Sequence, residues 1–253
     1  LGEQKVLVTA GASGIGREIV RAFAAAGARV FVCDVDRIGL DDLASEIPGL
    51  VTRACDISKR AEVSVMVASA AESLGGIDVL VNNAGIPGAT AAAEDVDMDD
   101  WERVVGVNLN GTFNATRLAI PHLKKSAAGS IIILSSVAGR YGYRHRAAYS
   151  TTKWGLIGLT KTLSIELGAY GIRVNALMPG AVAGPRLTRV LEGRAKKSGQ
   201  SIEAVTEAAL GSQSIKEFVD PRDVAALAVF IASPNGRMIS GAMLPIDGDM
   251  QTA

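Results

Sequence analysis

Short apolar runs alternate with longer, helix-patterned segments along the whole chain. Lys5–Ala10 (KVLVTA), Arg29–Asp34 (RVFVCD), Leu50–Ala54, Asp78–Asn82 (DVLVN), Ser130–Ser135 (SIIILS), Arg173–Met178 (RVNALM) and Met243–Ile246 are brief and mostly apolar. Such runs suit strands buried on both faces, as in a parallel sheet covered by helices. Helical periodicity marks Ile15–Ala26, Leu40–Ile47, Lys59–Leu74, Asp99–His122, Ala147–Leu167 and Arg222–Ala232. Strand–helix alternation repeated this often predicts right-handed crossovers and an α/β fold, a single doubly wound parallel sheet with helices on both faces. No Pro/Ser-rich linker divides residues 1–253, so one domain is expected. The exception to the pattern is 183–216, polar, cationic and only weakly helical around Leu187, Val190, Leu191, Ile202 and Val205. Because it follows the carboxyl end of a strand, where doubly wound sheets bind ligands, it is expected to be a substrate lid.

The first strand runs into Thr9-Ala10-Gly11-Ala12-Ser13-Gly14-Ile15-Gly16 and then a helix. Glycines let the backbone turn tightly, and the free amides and positive end of the next helix can hold a pyrophosphate. The order is G-x-x-G-x-G rather than G-x-G-x-x-G, so the context of strand, turn and helix carries the assignment. Asp34 closes the next strand. A carboxylate there accepts hydrogen bonds from ribose hydroxyls and repels a 2′-phosphate, while Ser13 and Val35 offer no charge to that phosphate. The expected cofactor is NAD rather than NADP.

Tyr149 and Lys153 lie four residues apart in the strongest helical segment, which stacks them on one face. A phenol titrates near pH 10, too high for a base at neutral pH. An adjacent ammonium and the positive ring of an oxidised nicotinamide favour its ionised form. Ser136, just past an apolar strand, can donate to a substrate oxygen at the same edge of the sheet. Asn108 is polar within an apolar helical stretch, needs hydrogen-bond partners if buried, and could hold a water that links the lysine to solvent.

Composition narrows the alternatives. Apolar residues make up 48% and charged ones 21%, and 26 basic residues balance 26 acidic ones. A phosphate-backbone or anionic-lipid binder needs a positive excess, so neither nucleic acid nor membrane is an expected partner. The longest charge-free stretch, Val79 to Ala93, is too short to span a bilayer and is interrupted by Gly85, Pro87 and Gly88. Cys33 and Cys55 lack metal-site spacing and cannot make a disulfide framework, so no metal is expected. Leu1 is followed at once by polar residues, with no secretory pattern, and the expected compartment is the cytoplasm.

The ordered set Thr9 to Gly16, Asn82-Asn83-Ala84-Gly85, Asn108, Ser136, Tyr149-x-x-x-Lys153 and Pro179-Gly180 resembles the short-chain dehydrogenase/reductase family over nearly the entire chain. The resemblance implies a Rossmann-type sheet with Tyr149 as general acid/base and Ser136 orienting the substrate. It also implies that Lys153 holds the nicotinamide ribose and that Asn108 completes a proton relay. Thr9, Gly11, Ser13, Gly14, Ile15 and Gly16 would take the pyrophosphate side of NAD, and Asp34 the ribose. Asp56 and Ile57 would sit by the adenine, Asn82, Ala84 and Gly85 in the cleft, and Pro179, Gly180 and Val182 beside the nicotinamide. A homotetramer packed through Asp99–His122 and Ala147–Leu167 is implied as well. Three positions depart from the family pattern: Ala10 stands for its first glycine, Gly184 for a threonine, and Asp249 for the second glycine of Asp-Gly-Gly.

The expected reaction is hydride transfer between nicotinamide and a secondary alcohol or ketone on a small polar molecule. The segment between Ser136 and Tyr149 carries Arg140, Arg144, His145 and Arg146 with Tyr141 and Tyr143 interleaved. Arg140, Tyr143 and Arg144, with Arg186 in the lid, are candidate contacts to a carboxylate or phosphate on the substrate. The competing reading of the cluster is a salt bridge to a neighbouring subunit or plain solvation. Other readings of the whole are a 3-oxoacyl-thioester (ACP or CoA) reductase, a lyase or epimerase that keeps NAD, and a non-catalytic NAD-binding protein.

Overall fold

A computed structural model describes residues 1–251. The seven apolar runs form β1 (Lys5–Thr9), β2 (Arg29–Asp34), β3 (Val51–Ala54), β4 (Val79–Asn82), β5 (Ser130–Leu134), β6 (Arg173–Pro179) and β7 (Met243–Ile246). All pair in parallel within one sheet of order β3-β2-β1-β4-β5-β6-β7, so the doubly wound α/β expectation is borne out. The helices are α1 (Gly14–Ala25), α2 (Arg37–Glu46), α3 (Arg60–Leu74), α4 (Met98–Val105), α5 (Thr112–Leu123), α6 (Ala147–Gly168), α7 (Pro185–Ser198), α8 (Ile202–Gly211) and α9 (Pro221–Ala232).

Strand alternation divides the core into two layers. Leu7, Phe31, Leu80, Ile131 and Ile133 pack against α3, α5 and α6. Val6, Val8, Val32, Val81 and Ile132 face the other way, against α1, α2 and α9. Every residue of β4 and β5 is buried, which is why these strands carry no alternating polar face. Each fully buried Val, Leu, Ile or Phe contributes roughly 1.5–3 kcal/mol relative to exposure.

The segment expected as one helix over Asp99–His122 is divided. A six-residue π segment, Gly106–Gly111, separates α4 from α5. Its wider turn carries Asn108 into the interior, where the side chain is fully buried. Gly111 permits the close approach: a Cβ there would lie 2.8 Å from the Ile57 carbonyl.

The excursion over 183–216 is more regular than its pattern indicates. Gly184 precedes α7 with φ +141°, a conformation that a threonine would hold only under strain, and Pro185 opens the helix. Gly199 closes α7 in the left-handed region, and Ser201 caps α8 by accepting from Ala204 N at 3.2 Å. Both ends of the excursion are tied down. Val182 bridges Val219, with Ala183 N donating to the Val219 carbonyl at 2.9 Å. Gln213 bridges Met250, and Gln251 N donates to the Ser212 carbonyl at 2.8 Å. Among the described residues no helix is long and apolar enough to cross a membrane, and no cluster of three or more His, Cys, Asp or Glu side chains could hold a metal.

Candidate active site

The sheet order reverses between β1 and β4, and the crevice beyond their carboxyl ends is where the candidate residues gather. Helix α1 starts without a side-chain cap on Ser13 and without an acidic residue in its first turn, so its leading amides have no protein anion. A Cβ on Gly16 would fall 2.2 Å from the Ala10 carbonyl and 2.5 Å from Asn83 Nδ2, so only glycine allows the turn to close. Ala10 itself adopts φ +55°, the left-handed geometry that the glycine of the family pattern would take without strain. Asn83 Nδ2 donates to the Thr9 and Ala10 carbonyls at 3.1 and 2.7 Å. Thr9 Oγ1 accepts from Asn83 N and Ala84 N at 3.0 and 3.1 Å, binding the β1 and β4 edges together.

Asp34 stands at the end of β2 with both carboxylate oxygens oriented by backbone donors. Oδ2 accepts from Ala12 N at 2.9 Å and Oδ1 from Asp36 N at 3.1 Å. Asp56 follows β3 and caps its own turn, accepting from Ser58 N at 2.9 Å and Ser58 Oγ at 2.7 Å. Ile57 is buried against Gly111. These donors, the glycine turn and the acidic strand end fit a dinucleotide: amides for the pyrophosphate and carboxylates for ribose hydroxyls.

Around the end of β5 the four expected catalytic side chains come together. Lys153 is buried, and its Nζ donates to the Leu134 carbonyl at 2.7 Å and lies 5.6 Å from the Tyr149 ring centre. Ser136 Oγ accepts from Ala138 N at 3.1 Å and faces the phenol without an aligned hydrogen bond to it. Dense packing around Tyr149 pushes its pKa up. Lys153, Arg186, the Ser136 hydroxyl and Arg146 outweigh that and hold the phenol below its ordinary value. Burial lowers the Lys153 pKa, Tyr149 opposes this, and Arg186 adds to it. The arrangement places a phenol that ionises readily beside a hydroxyl donor, which is what proton exchange with a carbinol oxygen requires.

Asn108 links this cluster to the crevice. Its Oδ1 accepts from Ile86 N at 2.8 Å, and its Nδ2 donates to the Ile86 carbonyl at 3.0 Å and to Thr152 Oγ1 at 3.1 Å. The amide donors are therefore committed to holding the 82–86 loop against α6. What remains for a water is the second lone pair of Oδ1. A Cβ on Gly85 would lie 3.3 Å from Lys153 Nζ and 3.5 Å from that oxygen, so the space is narrow. A hydroxyl chain runs behind it: Asn82 Nδ2 donates to Thr116 Oγ1 (2.9 Å), Thr116 to the Thr112 carbonyl (2.7 Å), and Thr112 to the Asn108 carbonyl (2.8 Å). Asn83 belongs to the Asn82–Gly85 motif, whereas Thr112, Thr116 and Thr152 are residues of the site that the sequence reading misses.

Pro179 ends β6, and Gly180 N donates to the Ile246 carbonyl at 3.0 Å. A Cβ on Gly180 would lie 2.9 Å from Asp247 Cα. Val182 sits at the foot of the excursion. The arginine-rich loop divides. Arg140 is exposed with its guanidinium 5.0 Å from the Tyr141 ring centre, and Arg144 is exposed with no hydrogen bond or ion pair among the described residues. Tyr143 OH accepts from Arg194 Nη2 at 3.3 Å. Arg146 turns inward, with its guanidinium 5.3 Å from the Tyr149 ring centre, and Arg186 at the start of α7 acts electrostatically on Tyr149, Lys153 and Arg146.

Comparison with known proteins adds to this geometry. A family model described as short chain dehydrogenase matches residues 4–195. The chain is 37% identical over 254 residues to a D-beta-hydroxybutyrate dehydrogenase of Cupriavidus necator, covering 98% of each. It is 36% identical over 248 residues to the 3-oxoacyl-[acyl-carrier-protein] reductase FabG of Thermotoga maritima, covering 96% of each. The crystal structure of an actinorhodin polyketide ketoreductase with NADPH superposes with a TM-score of 0.93 at 33% identity, covering 99% of this chain and 98% of that one.

Proposed function

The chain belongs to the short-chain dehydrogenase family and is an oxidoreductase of secondary alcohols and ketones; from that premise we propose that it uses NAD and acts on a small polar substrate. The observation that carries the proposal is the convergence of Tyr149, Lys153 and Ser136 at the mouth of an amide-lined turn. A bound nicotinamide supplies the hydride acceptor or donor. In the oxidative direction the hydroxyl proton of the alcohol would leave through the Tyr149 oxygen, and a bound nicotinamide would take the hydride. Ser136 donates to the substrate oxygen and Lys153 keeps the phenol acidic. Asn108 holds the 82–86 loop in place and offers one acceptor for a relay water.

Asp34 supports NAD. Its carboxylate is fixed by Ala12 N and Asp36 N, and Asp36 adds a second negative charge at the same edge. Arg17 on α1 is drawn towards Asp42 (2.5 Å) and Glu46 (3.0 Å) through Nη2. Titration of both coenzymes tests this: NAD should bind at least tenfold tighter, and tighter NADP binding would remove Asp34 from the account. Excursion 183–216 is proposed as the substrate lid. Exposed Phe113, Trp154 and Ile165 on α5 and α6 support a homotetramer, which sedimentation would measure. Two unpaired buried thiols are in keeping with a cytoplasmic setting.

The similarity to an acyl-carrier-protein reductase favours a second reading, reduction of a 3-oxoacyl thioester. One screen separates the two. NADH formation from NAD should occur with sugars, polyols or hydroxy acids, whereas activity confined to hydroxyacyl thioesters would select the alternative.

A further inference from the structure

We infer that Arg146 forms a receptor for a carboxylate on the substrate, so that the alcohol oxidised is a short hydroxy acid; this rests on the oxidoreductase reading above. His145 adopts φ +61°, unusual for a residue with a side chain, and its carbonyl accepts from Ala91 N at 3.1 Å. That pinned turn carries Arg146 inward while its neighbour Arg144 stays in solvent. A non-glycine residue held there beside a reactive phenol is the kind of local strain that marks functional loops.

The guanidinium of Arg146 is incompletely satisfied. Nη1 donates to Thr90 Oγ1 at 3.0 Å, whereas Nε is buried without any partner. Nη2, which has no partner among the described residues, is the donor left for a carboxylate oxygen. No carboxylate of the described residues pairs with Arg146, Arg186 or Arg194. Asp100 senses Arg146 but is already taken by Ala89 N and Arg103. Arg186 and Arg194 both repel Arg146. An anion at Nη2 offsets that repulsion.

The guanidinium carbon lies 5.3 Å from the Tyr149 ring centre, so a carboxylate held by Arg146 belongs to the same small molecule as the carbinol that meets the phenol. A thioester carried on a long arm presents no charge there.

Two measurements test the receptor. Calorimetric titration of butyrate and butyramide into the coenzyme-saturated protein should show butyrate binding at least tenfold tighter. Arg146→Gln should cut butyrate affinity by roughly 10- to 100-fold. The ratio of kcat/KM for 3-hydroxybutyrate over 3-hydroxybutyramide should fall with Arg146→Gln by the same 10- to 100-fold; any general effect on Tyr149 cancels in that ratio. Arg146→Lys, which keeps the charge and loses the guanidinium donor, should restore only part of the ratio. Equal loss on acid and amide, or butyrate binding no tighter than butyramide, would overturn the inference. Arg146-dependent butyrate binding by a protein that oxidises no alcohol would instead sink the oxidoreductase reading and leave the receptor standing.

Discussion

Replacing Lys153 by methionine should move the pH at which alcohol oxidation switches on. The ammonium lies 5.6 Å from the centre of the Tyr149 ring, and Lys153 is only 4% exposed, so solvent screens the pair weakly. At an effective dielectric of about 20, that separation corresponds to about 3 kcal/mol favouring phenolate. Oxidation needs the ionised phenol, so kcat/KM rises with pH through the Tyr149 pKa. Removing the cation raises that pKa and shifts the rise to higher pH. Arg186 and Arg146 still favour the ionised phenol in the variant. Below both midpoints Lys153→Met should be roughly 100-fold slower from ionisation alone, and the gap should narrow in alkali. The assay is a full pH profile of kcat/KM at saturating coenzyme for both proteins. A midpoint that stays put, or moves to lower pH, would refute the role given to the ammonium.

Two substitutions at the glycine turn should act in opposite directions. Gly16→Ala forces a methyl to within 2.2 Å of the Ala10 carbonyl and should cost at least about 1–3 kcal/mol with loss of coenzyme binding, read by thermal unfolding and titration. Ala10→Gly relieves a left-handed alanine and should stabilise by about 0.5 kcal/mol, raising Tm by a degree or two. On the opposite side of the acid scale, Arg21 and then Arg17 hold the Glu46 carboxyl down to about 2. A depressed folded pKa gives stability that is present above the ordinary carboxylate value of about 4.5 and lost as pH falls towards 2. The wild type should therefore lose more Tm between pH 5 and 2.5 than Glu46→Gln does.

The sheet was legible because its strands are buried on both faces and read as plain apolar runs, SIIIL of β5 above all. Tyr149 and Lys153 were legible because four residues make one helical turn, and Asp34 because it ends a strand that follows a glycine turn. Asn108 could be flagged as a polar interruption, but not the π segment that turns it inward. Apolar spacing does not distinguish one wide turn from a regular helix, and only Gly111, pressed on Ile57, hints at it. The helices of 183–216 were faint for a different reason: both lie mostly exposed, so burial imposes little pattern on them. Sequence singled out Arg144 where the structure turns Arg146 to the phenol. The direction of those side chains hangs on the left-handed backbone of His145, which its residue type does not announce. Ala10 and Asp249 are the converse case. Both replace glycines of the family pattern, and both keep the glycine-like backbone, with φ +55° and +59°.

The proton step at Tyr149 is tested most directly by Tyr149→Phe, which keeps the ring and removes only the oxygen. With the best alcohol found in the screen, NADH formation should fall by at least 1,000-fold, on the order of what a general acid/base group supplies. NAD affinity, carried by the amides of α1 and by Asp34, should change less than threefold. A variant that retained a tenth or more of wild-type turnover would contradict the account.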